Sequence, residues 1–507
     1  MRSQFLQAFR LTSLGTLASR VLGMLRDVVT GALLGLDQGG VMDAFSLAFR
    51  IPDFFRRLFG EGTLAAGYLP ILTARLEEDR DAAWKLVSAL FADLAVGLSA
   101  LVVVGWAICW ALLQWDDSPQ AELLLGLTAG LLPYVVLVCL AAQVAATLHA
   151  LGRFAAPALA PACLNVCWLI AACWAAPAVS ENKATQAGVL VVAVLLGGLC
   201  QLGIQVPVLF ACGFRLDWDW AKSRDDARRV LLATGPAALG LAVTQINTLA
   251  DSLMAWALSA PSLGSSGIAW LGGVEAPLRE GAAAAVYFSE RLFQFPVGVL
   301  GVAVGAAVFP LLSRHAARGD AVKLGADLTL GLRMVLVAGI PAAAGLVALA
   351  HPISETIFQH GEFTAEAAAR TSRMIACYGC GVWAYCAAPV LVRGFYAMGD
   401  FTTPLRIGAT IVVLNVFLNC VLARPFAEQG LAASTMIAAS LQVVALAALL
   451  SRKKAALEWG RLYQVAWKST LAAAVMAAAL CVALSWFPPG GSFPQRLSRL
   501  LIPMTLG

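Results

Sequence analysis

Apolar runs long enough to cross a bilayer, about 18 residues or more, recur along the whole chain between short polar segments. Their pattern predicts spans near 10–33, 44–70, 86–113, 121–148, 155–177, 185–212, 230–258, 282–312, 325–350, 366–397, 403–423, 430–450 and 464–486. A fourteenth begins near 497, in RLSRLLIPMTLG, and the sequence stops inside it. The expected architecture is therefore an all-α polytopic membrane protein of about 14 helices, the last cut short. Lys and Arg collect in alternate loops. One set holds Arg2, Arg10, Arg75, Arg80, Lys85, Arg153, the basic run from Arg215 to Arg229, Arg314, Arg318, Lys323, Arg406 and the run from Arg452 to Arg461. The other holds only Lys183, Arg279, Arg424 and Arg496. The positive-inside rule puts the first set, and with it the N-terminus, in the cytoplasm.

The chain also echoes itself. Ala150-Leu-Gly-Arg-Phe-Ala-Ala-Pro157 matches Ala397-Met-Gly-Asp-Phe-Thr-Thr-Pro404 at an offset of 247 (397 minus 150). Leu14-Gly15 with Ser19 lines up with Leu239-Gly240 and Thr244 at an offset of 225, which sets Arg26 opposite Asp251. Pro70-Ile-Leu-Thr73 lines up with Pro310-Leu-Leu-Ser313 at an offset of 240. Six predicted spans separate each pair. An even number preserves direction, so the expectation is two parallel six-helix lobes around a central cavity, as in alternating-access transporters. The lobes are expected over 1–214 and 215–451, the second opening with an amphipathic linker, and two further helices over 452–507.

Composition agrees with this class. The 507 residues are 60% hydrophobic and 13% charged, against roughly 25% charged in a soluble domain. The net charge of +5 resides in loops and gives no reason to expect a nucleic-acid partner. No cleavable signal is expected, because Arg2 and Arg10 lead into a long first span without a small-residue cleavage site. The twelve cysteines lie almost entirely in apolar runs, as do Cys163, Cys167 and Cys173. There they act as small hydrophobes. Cys377 and Cys380 form a single C-x-x-C, a weak metal signal without a second pair. His149, His315, His351 and His360 sit in or near loops, without the spacing of a metal site or proton relay.

Against this background the stretch Asp43–Pro70 stands out. It carries Asp43, Arg50, Asp53, Arg56, Arg57 and Glu61 among Phe, Leu and Ala. Asp53, Arg57 and Glu61, at i, i+4 and i+8, form one stripe with a cation between two acids. Arg50 lies close to that face, and Arg56 is expected to point about 100° away. A helix lying on the membrane surface is one reading. Loop parity favours a true crossing, since omitting the segment inverts every later loop. The first span adds Arg20, Arg26 and Asp27, with Arg20 and Asp27 seven apart on one face. The eighth adds Glu290 and Arg291. Charges inside spans are costly and face a cavity or a partner. Arg20, Arg26, Arg50, Arg56, Arg57 and Arg291 outnumber the acids Asp27, Asp53, Glu61 and Glu290. Surplus guanidinium in a watery cavity suits a bidentate anion such as phosphate or pyrophosphate. The bland alternative is that each arginine is ion-paired or snorkels to an interface.

A second constellation joins Asp251, midway along the seventh span, to Asn415 and Asn419 (i, i+4) in the eleventh and Thr435 in the twelfth. A carboxylate, two amide oxygens, a hydroxyl and a freed backbone carbonyl make an oxygen site for a small hard cation, with Na⁺ the natural occupant in a transporter. Interhelical hydrogen bonding by membrane Asn and Thr is the competing explanation.

Ser19-Arg-Val-Leu-Gly23, Arg26-Asp27, Asp43-Ala-Phe, Phe49-Arg-Ile-Pro52 and Arg56-Arg-Leu-Phe-Gly-Glu-Gly62 resemble the MurJ/MviN family. So do Glu290-Arg-Leu-Phe-Gln-Phe-Pro-Val-Gly-Val-Leu-Gly301, Phe358-Gln-His-Gly-Glu-Phe-Thr364, Gly394-Phe-Tyr396 and Thr403-Pro404. These are bacterial lipid II flippases of the multidrug/oligosaccharidyl-lipid/polysaccharide exporter superfamily, and the likeness runs in order along nearly the whole chain. The resemblance implies fourteen helices, two lobes around a cationic cavity, and a groove for the polyprenyl tail made by the last two helices. It implies movement of the undecaprenyl-pyrophosphate-linked peptidoglycan precursor, lipid II, from the cytoplasmic to the periplasmic leaflet of the inner membrane. Family cavity arginines map onto Arg20, Arg26, Arg56 and Arg291, with Arg50 at a basic position, and cavity acids onto Asp27, Asp43 and Glu61. The sodium site of some members maps onto Asp251, Asn415, Asn419, Thr435 and the carbonyl of Leu431. This chain departs at Glu290, where Asp is common, at Gln294, where some members carry Glu, and at Asn419, which stands in for an Asp.

No P-loop is present, so ATP hydrolysis is not the expected energy source. The membrane potential, worth about 2.3 kcal/mol per charge per 100 mV, or an ion gradient is expected to drive or reset the cycle. The expectation is thus a non-enzymatic flippase, working as a monomer among membrane lipids. Alternatives are a flippase or exporter of another lipid-linked oligosaccharide, or a cation-coupled drug antiporter of the same superfamily, which calls for an acid-rich cavity. A membrane glycosyltransferase or phosphatase needs catalytic acids or His in a sizeable loop, and the longest loops, near 213–229 and 259–280, offer none.

Overall fold

Backbone amides in lipid must be satisfied within their own segment, which a helix achieves. The structure, a computed structural model, describes residues 2–506 except 61–62, 218–223, 261–266, 269–273, 454–456 and 488–489. In the first half the helices are α1 (Arg2–Leu34), α2 (Val41–Gly60), α3 (Thr63–Glu78), α4 (Arg80–Trp115), α5 (Pro119–Ala150), α6 (Ala155–Ile170), α7 (Ala176–Val179), α8 (Lys183–Ala211) and α9 (Arg224–Ala257). Then come α10 (Ala282–Pro296), α11 (Val302–Ala317), α12 (Ala321–Ala348), α13 (Ala350–Phe358), α14 (Ala365–Gly379) and α15 (Val382–Ala397). The last are α16 (Thr402–Phe426), α17 (Glu428–Arg452), α18 (Trp459–Ser485) and α19 (Phe493–Leu506). Short π-helical stretches, Ala171–Ala175 and Val297–Gly301, carry α6 into α7 and α10 into α11. The strands among the described residues are two-residue β1 (Gly267–Ile268) and β2 (Val274–Glu275), paired antiparallel.

The chain is an all-α polytopic membrane protein. Among the described residues, nine helices are long and apolar enough to cross a membrane, or eleven with two bent pairs each counted as one span. α2 falls outside that set because Asp43, Arg50, Asp53, Arg56 and Arg57 lie within its 20 residues. The stretch 44–70 is helical as α2 up to Gly60 and as α3 from Thr63, and residues 61–62 lie outside the described residues. One expected span is interrupted: the stretch 366–397 is α14 and α15, bent by 44°. At that bend a Cβ on Gly381 would lie 1.9 Å from Met436 Sδ of α17, so a larger residue there would require the Met436 side chain to shift. Large apolar side chains such as Trp110, Trp174, Phe417 and Trp467 are exposed, as lipid-facing residues are. Trp115, at the end of α4, suits an interfacial anchor.

The contacts divide the chain into two compact units, 1–245 and 246–507, with the boundary inside α9. In the first, α5 is the central post, against which α2, α3, α4 and α8 pack, while α6 packs on α1 and α8. Trp168 of α6 is buried edge-on to Phe45 and Phe49 of α2, with ring centroids 5.5 and 5.1 Å away. In the second, α12 packs on α15 and α18, α16 on α17, and α14 on α10, α13 and α17. The closing helices α18 and α19 belong to this unit. Buried Glu355 of α13 takes a hydrogen bond from Arg499 Nη1 (2.8 Å) and one from the Gly490 amide (2.7 Å), while Leu349, Leu480 and Leu500 pack together.

Candidate functional site

In the first unit the polar centre is built around Arg26. Its Nε and Nη2 both donate to Asp27 Oδ1, at 3.0 and 2.8 Å, and its Nη1 donates to Asn165 Oδ1 at 3.2 Å. The guanidinium carbon stands 4.6 Å from the Trp168 ring centroid and 5.9 Å from that of Phe49. Trp168 Nε1 donates to Thr30 Oγ1 (2.9 Å), and that hydroxyl donates to the Arg26 carbonyl (2.7 Å). Asn165 Nδ2 reaches back to the Ser19 carbonyl at 3.1 Å. Arg26 and Asp27 are 8% and 4% exposed. A charge pair so deeply buried is tolerable only with its remaining polar atoms met. Here an aromatic face, an amide oxygen and a carboxylate meet them.

On α2, Asp53 is shared by two arginines. Arg56 Nε and Nη2 donate to its Oδ1, at 2.9 and 2.7 Å, and Arg57 Nε donates to its Oδ2 at 2.9 Å. The expectation that Arg56 points away from Asp53 is corrected here: the long guanidinium arm reaches its i−3 neighbour as readily as Arg57 reaches i−4. Arg50 and Asp43 are buried on the same helix. Arg20 is exposed and Asp27 buried, and Asp27 is bonded by its neighbour Arg26 rather than by Arg20. Glu61 lies outside the described residues.

The second unit holds the other expected residues. Arg291 lies over the ring of Tyr287, 4.8 Å from its centroid, and donates from Nη2 to the Tyr287 hydroxyl at 3.2 Å. Its neighbour Glu290 is buried. Asp251, fully buried, accepts at Oδ1 from Asn415 Nδ2 (2.6 Å) and Asn419 Nδ2 (2.7 Å). At Oδ2 it accepts from Thr435 Oγ1 (3.0 Å) and Asn247 Nδ2 (3.4 Å). The Leu431 carbonyl accepts from Ser434 and Thr435, each at 2.8 Å, and Ser434 also donates to Asn419 Oδ1. Asp251, Asn415, Asn419, Leu431 and Thr435 therefore form one cluster. Its side chains carry carboxylate, amide and hydroxyl oxygens and no sulfur or imidazole, the ligand types a small hard cation takes, and here the Asn247, Asn415 and Asn419 amides turn their Nδ2 atoms to Asp251. Asn415 Oδ1 is buried and meets no hydrogen-bond donor among the described residues, an orphan acceptor of the kind a cation would satisfy.

Sequence reasoning missed Asn165, Trp168, Asn247 and Ser434. A signal existed for two of them. Trp168 falls opposite Asn415 at the offset of 247 (168 plus 247), and Asn247 sits one helical turn before Asp251.

With this geometry in place, comparison with known proteins is informative. The family described as lipid II flippase MurJ matches residues 33–497. A probable lipid II flippase MurJ of Haemophilus influenzae is 32% identical over 453 residues, covering 84% of this chain and 82% of that protein. A solved structure of a lipid II flippase MurJ in an inward closed conformation aligns with a TM-score of 0.72 at 19% identity, covering 98% of this chain and 96% of that one. An inward-facing multidrug resistance MATE family transporter of the MOP superfamily aligns at 0.66 and 12% identity, over 86% and 96% of the two chains. At these identities the two structural likenesses speak for the fold.

Proposed function

The chain belongs to the MurJ family, and from that membership we propose that it is a lipid II flippase, carrying the undecaprenyl-pyrophosphate-linked disaccharide-peptide across the bacterial inner membrane. The family is one of transporters, and the chain is not an enzyme. Transport runs from the cytoplasmic to the periplasmic leaflet by alternating access, with the N-terminus cytoplasmic and a single chain as the working unit. The observation that carries the reading is the match to the family over residues 33–497. The chemistry of the first unit supports it. Arg56 and Arg57 gather around Asp53, and guanidinium groups are the side chains that suit a bidentate anion such as pyrophosphate. Arg20, Arg26, Asp27, Asp43, Arg50, Glu61 and Arg291 complete the substrate-binding set of this reading. The test is periplasmic exposure of the precursor in cells depleted of their own flippase. Arg26→Ala and Arg56→Ala are expected to fail to restore it. Wild-type flipping by both variants rules out anion capture by these arginines, and full function of Arg56→Lys shows that charge suffices without the fork.

A second element concerns a cation. Asp251, Asn415, Asn419, Thr435 and the Leu431 carbonyl would hold Na⁺, which would supply the positive charge that buried Asp251 lacks among its neutral donors. The orphaned Asn415 Oδ1 favours this reading. Binding of ²²Na⁺ that persists in Asp251→Asn removes it.

A further inference from the structure

Arg370 of α14 joins three helices. It is 4% exposed and Glu428 of α17 is 8% exposed. Arg370 Nη2 donates to Glu428 Oε1, and its Nε donates to Glu428 Oε2 at 3.3 Å. The same Nη2 donates to the Glu280 carbonyl at 2.7 Å. That carbonyl immediately precedes Gly281, whose left-handed backbone (φ 85°) caps the start of α10. One planar fork thus ties the first turn of α17 and the start of α10 to α14, which packs against both. The turn into α17 is itself strained. Ala427 has φ 48°, the positive-φ residue other than glycine among those described. Such a conformation persists only where its surroundings hold it.

Further along α17, Met436 packs against the gap left by Gly381 at the α14–α15 bend. Glu428 and Met436 are eight residues apart, about 12 Å along the helix. Leu431, Ser434 and Thr435 all lie between these two fixed points. Each residue of an α-helix turns by about 100°, so a slip of one position would carry Thr435 away from Asp251. Gly430 adds close contact with α16, since a Cβ there would stand 2.2 Å from the Leu422 carbonyl.

We propose that Arg370 is a positioning residue for the cation site: through Glu428 it registers α17 so that the Leu431 carbonyl and the Thr435 hydroxyl meet Asp251, and through Glu280 it ties that register to α10, the helix of Arg291. The inference rests on the cation reading above for its binding readout, and its mechanical part is read separately.

The experiment uses the full-length protein in nanodiscs of phosphatidylethanolamine and phosphatidylglycerol. The main variant is Arg370→Gln with Glu428→Gln, which leaves no lone charge buried. Two readouts are taken: ²²Na⁺ affinity, and hydrogen–deuterium exchange of the amides from Glu428 to Met436. The double variant is expected to retain its fold, bind ²²Na⁺ roughly 10–100-fold more weakly, as for lost supporting partners of a metal site, and exchange faster over that segment. Arg370→Lys, which keeps the charge and loses the fork, is expected to fall between. Unchanged ²²Na⁺ affinity in the double variant overturns the proposal, and so does unchanged exchange. If the wild type itself binds no ²²Na⁺, the cation reading falls. Exchange then decides the register alone: faster exchange upholds Arg370 as the anchor of α17, and unchanged exchange refutes it.

Discussion

In the first unit a charge on α1, Arg26, is held by α6 through Asn165 and Trp168. In the second, a charge on α9, Asp251, is held by α16 through Asn415 and Asn419. The two charges stand at the sequence offset of 225, and Trp168 and Asn415 stand at the offset of 247. The same two places thus carry opposite signs. Asparagine serves both, because its amide offers an acceptor to Arg26 in one unit and donors to Asp251 in the other. The aromatic face of Trp168 serves only the cation. The closure of the two centres also differs. Arg26 has a carboxylate, Asp27, bonded to its guanidinium. Asp251 is bonded, among the described residues, by neutral groups alone. A buried charge without a counter-charge is expensive; the first centre carries its own counter-charge in Asp27, whereas the second invites a cation.

The largest expected effect breaks the closed centre. Arg26→Leu strips Asp27 of this cation and should cost about 3–5 kcal/mol, read as a lower melting temperature in detergent. Arg26→Leu combined with Asp27→Leu should recover most of that loss. Were the double variant no better than the single, the loss would not come from leaving the Asp27 charge buried without Arg26. The open centre should respond to salt instead. Exchanging choline for sodium at equal ionic strength should stabilise the wild type by about 2.7 kcal/mol at a hundred times Kd, and Asp251→Asn should lose that increment entirely. A sodium-dependent shift that survives in the variant would put the ion elsewhere.

Smaller effects sharpen the contrast. Trp168→Leu should destabilise by about 2 kcal/mol through the lost face over Arg26, whereas Trp168→Phe, which keeps an aromatic face and loses only the bond to Thr30, should cost about 1 kcal/mol. Equal losses in chemical melts would mean the indole N–H matters more than the face. Smallest of all, Ala427→Gly should raise stability by no more than about 1 kcal/mol by relieving the positive φ. A fall in melting temperature would show that the turn into α17 is held by something Ala427 itself contributes.

Much of this was legible in the residues, unevenly. Asp251, Asn415, Asn419 and Thr435 could be assembled because each is a polar residue deep in an apolar span, where it must find partners. Asn165 and Trp168 fit the same rule, yet both also read as ordinary packing residues, and no local pattern ties them to Arg26. Arg370 and Glu428 lie near helix starts, where a charge looks solvated until the fold buries it. The sharing of Asp53 by Arg56 and Arg57 depends on side-chain reach and rotamer, which spacing alone leaves undecided.

The sequence by itself determined the membrane class, the helical character of the spans, the family and the residues on which charge is concentrated. These follow from hydropathy and spacing, which are properties of a line of residues. Only the tertiary structure decided that Asp27 serves Arg26, that the amide donors of Asn415 and Asn419 face Asp251, and that α14 is broken from α15 where Gly381 admits Met436. Those outcomes depend on how each helix is rotated and set against its neighbours, a three-dimensional quantity fixed by packing at ångström precision.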